Sequence, residues 1–273
     1  MTGSLVLVAT PIGNLGDLAP RAVEAFRTAG LVCCEDTRRT GLLLSNLGID
    51  ATLMRLDDHT EHHGVARVVD VLRSGRDVVV VSDAGTPGIS DPGTRVVRAA
   101  IAEGHRVTSI PGPSALLAAV IVSGLPTERF VFEGFLPRRG PERRRRLGEI
   151  AREQRTVVLY EAPHRLVETM TDLLSACGDR SVAVARELTK IHEEIWRGTL
   201  ANFEPAADEP RGEHVIVLGG RADPSPTTDE EIDLALRSEL DSGASVKDAA
   251  ATVAELAGIP KREAYQRAMR LRG

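Results

Sequence analysis

Four consecutive valines, Val78–Val81, constrain this chain more than any other feature. No polar residue alternates with them, so the strand they form must bury both faces. That happens where helices cover both sides of a mainly parallel sheet. The flanking sequence agrees. Upstream, Val65, Val68, Val69 and Leu72 fall on one face at helical spacing, predicting a helix over 65–74. Downstream come a Gly/Pro/Ser loop (82–93), a helical stretch over 93–102 and a short strand over 106–110. Ahead of the valines, 5–9 and 31–34 read as strands, and 20–29 and 38–46 as helices, the second ended by Gly48. Strand alternating with helix is the pattern of βαβ units.

At ~150 residues per domain, 273 residues predict two domains and a smaller third piece. The expected boundaries are 1–113 for an N-terminal α/β domain, 114–222 for a second α/β domain, and 223–273 for a linker with a helical module. Within the second domain, strands are expected over 130–132, 157–160, 182–185, 195–197 and 215–218. Helices are expected over 115–122, 142–153 and 166–175. The linker begins Asp223-Pro-Ser-Pro-Thr-Thr228, and Thr228-Asp-Glu-Glu231 reads as a capped helix start. Three tail helices (230–241, 246–256, 261–271) with short turns give a helix-turn-helix spacing. The fold class is thus α/β, two α/β domains with a cleft between them, plus a small C-terminal helical module.

Composition narrows the function classes. Apolar runs of about five residues fall far short of a membrane span. The N-terminus carries no basic leader or cleavage signal, and three cysteines do not make a disulfide framework; both lead us to expect a reducing cytoplasm. No Cys/His spacing resembles a metal site; His59, His62 and His63 read as a solvated polar turn. The formal net charge is -5, so any polyanionic partner needs a local basic patch. Arg138-Arg139-Gly-Pro-Glu-Arg143-Arg144-Arg145-Arg146 supplies six arginines against one acid, either a solvated helix face or such a patch.

Chemistry concentrates in loops that follow strands. Thr10-Pro11-Ile-Gly-Asn14, Ser82-Asp-Ala-Gly85-Thr86-Pro87-Gly-Ile89-Ser-Asp-Pro-Gly93 and Pro111-Gly-Pro-Ser114-Ala115 should share one crevice at the carboxyl ends of the strands. Ser114 either caps the following helix or donates to a ligand carboxylate. A dinucleotide reading fails: Glu35 and Asp36 follow the second strand, but no Gly-x-Gly-x-x-Gly follows the first.

Seven segments in order then form one signature. They are Thr10-Pro-Ile-Gly-Asn-Leu-Gly-Asp17, Glu35-Asp-Thr-Arg38, Ser82–Gly93, Ile110-Pro-Gly-Pro-Ser-Ala115, Gly134-Phe-Leu-Pro137, Leu159-Tyr-Glu-Ala-Pro-His-Arg165 and Arg186-Glu-Leu-Thr-Lys190. This set resembles the tetrapyrrole-methylase-like (class III) methyltransferases, specifically the branch that 2′-O-methylates a cytidine in 16S ribosomal RNA, in the decoding region of the small subunit. Gly85-Thr86-Pro87 stands where the tetrapyrrole branch usually has Gly-Asp-Pro, which favours RNA over a porphyrin precursor.

The resemblance implies S-adenosylmethionine in the cleft, a homodimer, and the small ribosomal subunit as partner. By motif position, Pro11, Gly85, Thr86, Pro87, Ile89, Ser114 and Ala115 would meet the cofactor from the first domain. Leu136, Tyr160, Leu188, Glu213, His214 and Val215 would meet it from the second. A ribose hydroxyl is a weak nucleophile and needs a proton acceptor or orienting group. Lys190, Glu161 and Asp36 are the candidates, with Glu187 and Arg186 beside them; a lysine near another cation can act as a base, or it can simply hold an anion. Arg38, Arg39, Arg138, Arg139, Arg143, Arg144, Arg145 and Arg146 are the candidate RNA contacts. The basic end of the tail (Lys261, Arg262, Arg267, Arg270, Arg272) is either a further contact or a packing module. A tetrapyrrole C-methyltransferase and a non-catalytic ribosome-binding factor on the same scaffold are the competing readings.

Overall fold

The computed structural model describes residues 2–56, 61–205, 212–222 and 228–272. Most of the expected linker, and His59, lie outside the described residues. The chain forms two compact units, 1–221 and 222–273.

The first unit opens with β1 (Ser4–Val8), α1 (Pro20–Thr28), β2 (Leu31–Cys34), α2 (Thr37–Asn46) and β3 (Leu53–Arg55). It continues with α3 (Glu61–Arg73), β4 (Val78–Val80), α4 (Thr94–Ala102) and β5 (Arg106–Ile110). The strands form one sheet in the order β3-β2-β4-β1-β5, parallel throughout. The valine strand sits at its centre and is shielded on both faces. Val78 and Val80 pack with Leu5, Leu72 and Val96 under α3 and α4. Val79 and Val81 pack with Val8, Phe26 and Leu44 under α1 and α2. His62 and His63 fall in the first turn of α3, not in a polar turn.

Strand β3 has no counterpart in the sequence reading. It is a three-residue edge strand, and only partly buried, so it carries no periodic signal. The valine strand is shorter than its sequence run. Asp77 turns its carboxylate to accept from the Ser4 backbone N–H (2.7 Å), which fixes the strand's start.

Helix α5 (Ala115–Ser123) carries the chain to the second sheet, built from β6 (Phe130–Phe135), α6 (Pro141–Ile150), β7 (Thr156–Glu161), α7 (Leu166–Cys177), β8 (Ser181–Arg186), β9 (Glu194–Thr199) and β10 (His214–Leu218). The order is β6-β7-β10-β8-β9, and only the β6–β7 pair is parallel. One face packs on α6 and α7 through Ile150, Leu159, Leu173 and Ile216. The other packs on α5, through Val120, Val158 and Val215.

The second unit holds α8 (Asp229–Asp241), α9 (Val246–Ala257) and α10 (Lys261–Arg272) around its own core of Ile232, Leu236, Val253 and Ala264. Thr228 and Glu231 form a reciprocal capping box at the start of α8. Arg267 belongs to this packing: its guanidinium reaches Asp229 (2.5 Å), Glu263 (3.2 Å) and Asp233 (3.5 Å) and is 12% exposed. It is an internal tie, leaving Lys261, Arg262, Arg270 and Arg272 on the surface.

The three cysteines are unpaired. Burial pushes the Cys33 thiol up to about 12, and burial likewise raises Cys34 and the half-buried Cys177.

Leu5, fully buried in β1, packs on the same face as Val78 and Val80. Leu5→Ala is expected to destabilise the α/β unit by about 3 kcal/mol through lost burial and the cavity left behind. Thermal unfolding should show that unit's transition moving down while the helical module's stays in place.

Candidate active site

The loops that follow β1, β4 and β5 meet the second sheet at a cleft of about 440 Å³, within the range of small-molecule sites. Its floor is held by backbone pairing. Thr10 N–H donates to Gly85 O (2.9 Å) and Gly85 N–H donates to Thr10 O (3.0 Å), so the loop after β4 is stitched to the end of β1. Gly85 has φ +81°, and a Cβ there would lie 3.3 Å from Ile12 Cγ2. Thr86 Oγ1 donates to Pro113 O (3.2 Å), tying in the loop after β5. Ser114 takes the capping role: its Oγ accepts from Leu117 N–H at the start of α5, which brings a helix N-terminus to the cleft.

The opposite wall is aromatic and apolar. Tyr160 sits edge-on to Phe132 (4.9 Å between centroids) and beside Phe135 (5.6 Å). Its hydroxyl accepts from Leu116 N–H (3.2 Å), linking β7 to α5. Leu188 and Val215 complete this wall.

Among described non-glycine residues, three adopt positive φ: Ser90 (61°), Glu187 (51°) and Thr189 (68°). Ser90 and Glu187 line the cleft, and Thr189 stands between two lining residues, Leu188 and Lys190. Such conformations cost energy in residues with a side chain and concentrate at functional sites.

The charge balance is acidic. Glu35, Asp83, Asp91, Glu187 and Glu213 line the cleft, against Arg39 and Lys190. Arg39 pairs with Asp83 (3.3 Å) and Lys190 with Glu187 (2.7 Å). The stem of Lys190 crosses Gly13 so closely that a Cβ there would stand 2.4 Å from Lys190 Cγ. Burial, and then the neighbouring Glu35, Glu213 and Asp83 charges, push Asp91 up to about 7 against a Ser82 hydrogen bond that lowers it. His214 is buried, its pKa lowered by burial first and then by Arg186, and its Nδ1 has no partner.

The structure therefore brings Gly85, Thr86, Ile89, Ser114, Ala115, Tyr160, Leu188, Glu213, His214 and Val215 to one cleft, with Lys190 and Arg39. Pro11, Pro87 and Leu136 are not among its lining. Pro11 faces a neighbouring groove and Pro87 is buried within its loop. Leu136 is core, because a register shift between Phe132 and Gly134 in β6 turns Phe135 to the cleft in its place.

Two candidate bases are corrected. Glu161 is fully buried, accepting from Thr169 Oγ1 (2.6 Å) and Ala162 N–H (2.9 Å), with Arg165 at 3.4 Å. Asp36 caps α2 and grips Arg38, whose hydrogen bonds hold its carboxyl well below the usual range, where it is a poor proton acceptor.

Among the arginines, Arg143 is also corrected. It is 4% exposed and donates to Asp172 (2.8 Å), Pro137 O (3.0 Å) and Thr169 (3.0 Å), a packing role. Arg146 pairs with Glu133, and Arg145 lies near Glu142 and Glu149. Arg38, Arg138, Arg139 and Arg144 are exposed. Sequence reasoning missed Ile12, Glu35, Asp83, Asp91 and Phe135 as cleft residues, although each lies within or beside a motif it had singled out.

Two α/β layers, with strand-end loops closing on a cleft that favours a cationic ligand, define a methyltransferase scaffold of the class III type. A family model described as Tetrapyrrole (Corrin/Porphyrin) Methylases matches residues 4–204, and one described as RsmI C-terminal HTH domain matches 226–272. Ribosomal RNA small subunit methyltransferase I of a Synechocystis strain is 46% identical, covering 98% of each chain. Its namesake in Xylella fastidiosa is 48% identical, covering 96% of this chain and 98% of its own. The crystal structure of uroporphyrin-III C-methyl transferase from Thermus thermophilus, complexed with S-adenyl homocysteine, shares the fold with a TM-score of 0.54. It is 22% identical and covers 80% of this chain and 97% of its own. The chain belongs to the ribosomal RNA small subunit methyltransferase I family, within the tetrapyrrole methylases.

Asp91 gives a stability signature with a definite sign. Its carboxyl moves from an ordinary value of 3.8 to about 7 on folding. The native state therefore binds the extra proton, and stability declines as pH rises through that window. Asp91→Asn should leave the melting temperature little changed near pH 4 and raise it relative to wild type above pH 7. Thermal unfolding across pH checks this.

Proposed function

We propose that the chain transfers a methyl group from S-adenosylmethionine to the 2′-hydroxyl of a cytidine in 16S ribosomal RNA, in the decoding region of the small subunit. One observation carries this reading: the cleft is walled by carboxylates yet lies beside exposed arginines. A cationic donor suits such walls. A tetrapyrrole precursor rich in carboxylates would be repelled by them, whereas an RNA chain can keep its phosphates outside and offer one uncharged hydroxyl. A purely binding factor would not need strained loops around a desolvated acid.

The bound donor would supply an electrophilic methyl on a sulfonium. Gly85, Thr86 and Ile89 would hold it from one side and Leu188, Val215 and Tyr160 from the other. The N-terminus of α5, with Ser114 and Ala115, suits its carboxylate, and the unpartnered Nδ1 of the neutral His214 can accept a hydrogen bond from an N–H or O–H group of the donor. Asp91 is the proton acceptor for the ribose hydroxyl, since its raised pKa lies near the working pH. A cation nearby favours the ionised form that a base requires. Lys190, held by Glu187, orients the acceptor oxygen.

Domain limits at 113/114 and 222/223, a cytoplasmic setting and a homodimer complete the proposal. The homodimer rests on the family resemblance; of the adjacent leucines in α2, Leu44 is core and Leu42 is strongly exposed. Among the described residues no helix is long and apolar enough to cross a membrane. Nor does any group of three or more His, Cys, Asp or Glu stand ready for a metal.

Labelled donor mixed with small ribosomal subunits, or with a free tetrapyrrole, tests the proposal; label is expected in the RNA alone. Calorimetry with a chelator present should show donor binding, and Gly85→Val should abolish it, because a branched side chain is strained at positive φ and meets Ile12. Arg138→Gln with Arg144→Gln should reduce the steepness of log affinity against log salt by about 1.4. Donor affinity should stay the same.

A further inference from the structure

Beside the cleft lies a smaller cavity of about 200 Å³. One wall is the loop after β1, with Pro11 and Leu15. The other is the face of α2 that carries Arg39, Leu42, Leu43 and Asn46, residues spaced as one stripe of a helix. Arg39 and Asp83 line both cavities, so their ion pair is the partition between them. Leu15 and Leu42 are 59% and 65% exposed, the most open large apolar side chains of this region.

We infer that this groove receives the unstacked base of the acceptor nucleotide, a single pyrimidine ring gripped between Leu15 and Leu42. The inference rests on the methyl-transfer reading above and adds the site that reads the acceptor. In a nucleotide the 2′-oxygen and the base sit on adjacent ribose carbons. Transfer brings that oxygen to about 3 Å from the methyl carbon. The base must then occupy space immediately next to the donor's site, on the acceptor side, and the groove shares a wall with it. The cavity is smaller than the roughly 300 Å³ at which sites for drug-sized ligands begin, and it suits one flat ring. Its flanks are apolar and its two ends polar. Arg39, 69% exposed at the inner end, donates to a ring carbonyl or to the adjoining phosphate. The exposed amide of Asn46 meets the ring's outer edge, where donor and acceptor alternate. Taking a base out of its stack forfeits stacking and pairing, which apolar flanks and edge hydrogen bonds offset.

The test uses the full-length enzyme with small ribosomal subunits as acceptor. Leu42→Asp and Asn46→Ala, both on the exposed face of α2, are expected to raise KM for the subunit about tenfold. Donor affinity by calorimetry should be unchanged. Short single-stranded RNAs carrying either a central cytidine or an abasic ribose give the second measurement. Wild type should bind the cytidine form more tightly, and Leu42→Asp should erase that difference, a non-additivity that marks direct contact. An unchanged KM in both variants overturns the inference. So does an equal loss on both RNAs. Light scattering that shows Leu42→Asp dissociating a dimer, with activity falling in proportion, would assign the groove to a second copy of the chain instead. If wild type itself leaves ribosomal RNA unlabelled, the methyl-transfer reading falls, and the RNA-binding comparison reports on the groove separately.

Discussion

The reciprocal hydrogen bonds between Thr10 and Gly85 hold the site together. They continue the pairing two residues past the end of β1 and fasten the loop after β4 to it. A side chain at Gly85 would crowd Ile12, and the φ of +81° there is one that glycine adopts without strain. From that point the rest follows by contact. Thr86 reaches Pro113, Pro113 leads into the cap of α5, and α5 receives Tyr160 from the second sheet. A short ladder thus carries positional information from the buried valine strand to both walls of the cleft.

Charge is partitioned by depth. Carboxylates gather inside the cleft around Arg39 and Lys190, while the other arginines either stand outside or are consumed in packing. The second group matters more than its number implies. Arg143, Thr169, Glu161 and Arg165 form a continuous buried chain that ends on the carbonyls of Leu136 and Pro137. This fastens the turn after β6, and with it Phe135, to α6 and α7. Breaking one member would strand a buried charge, a heavier loss than an exposed ion pair gives up.

Much of the fold was legible because its strands are buried on both faces and its helices amphipathic. The valine strand, the second strand at Leu31–Cys34 and the fifth at Arg106–Ile110 all read directly from the sequence. Strand β3 did not, being short and at an edge. The site was partly legible. Motif position located the loops, but not which side chains in them face inward. Leu136 and Phe135 exchange roles because of one bulge, which no periodicity reports. Glu161 and Arg143 sit in motif and cluster, yet their side chains turn to the core. Asp91 was overlooked because an aspartate in a Ser-Asp-Pro-Gly turn looks like an ordinary turn residue. Only its burial beside Glu35 and Glu213 makes it chemically unusual.

The cysteines have a practical consequence. Each thiol is pushed toward its protonated form by burial, and the thiolate is the species that reacts. Toward maleimides and haloacetamides near neutral pH, Cys33 and Cys34 should be nearly silent in the folded chain, leaving Cys177 as the more open thiol. With Cys177 replaced, a cysteine placed at one exposed position would take a fluorophore or spin label almost alone. The same shielding guards the sheet that carries the cleft against oxidants, since Cys33 and Cys34 lie in β2 beside the central strand.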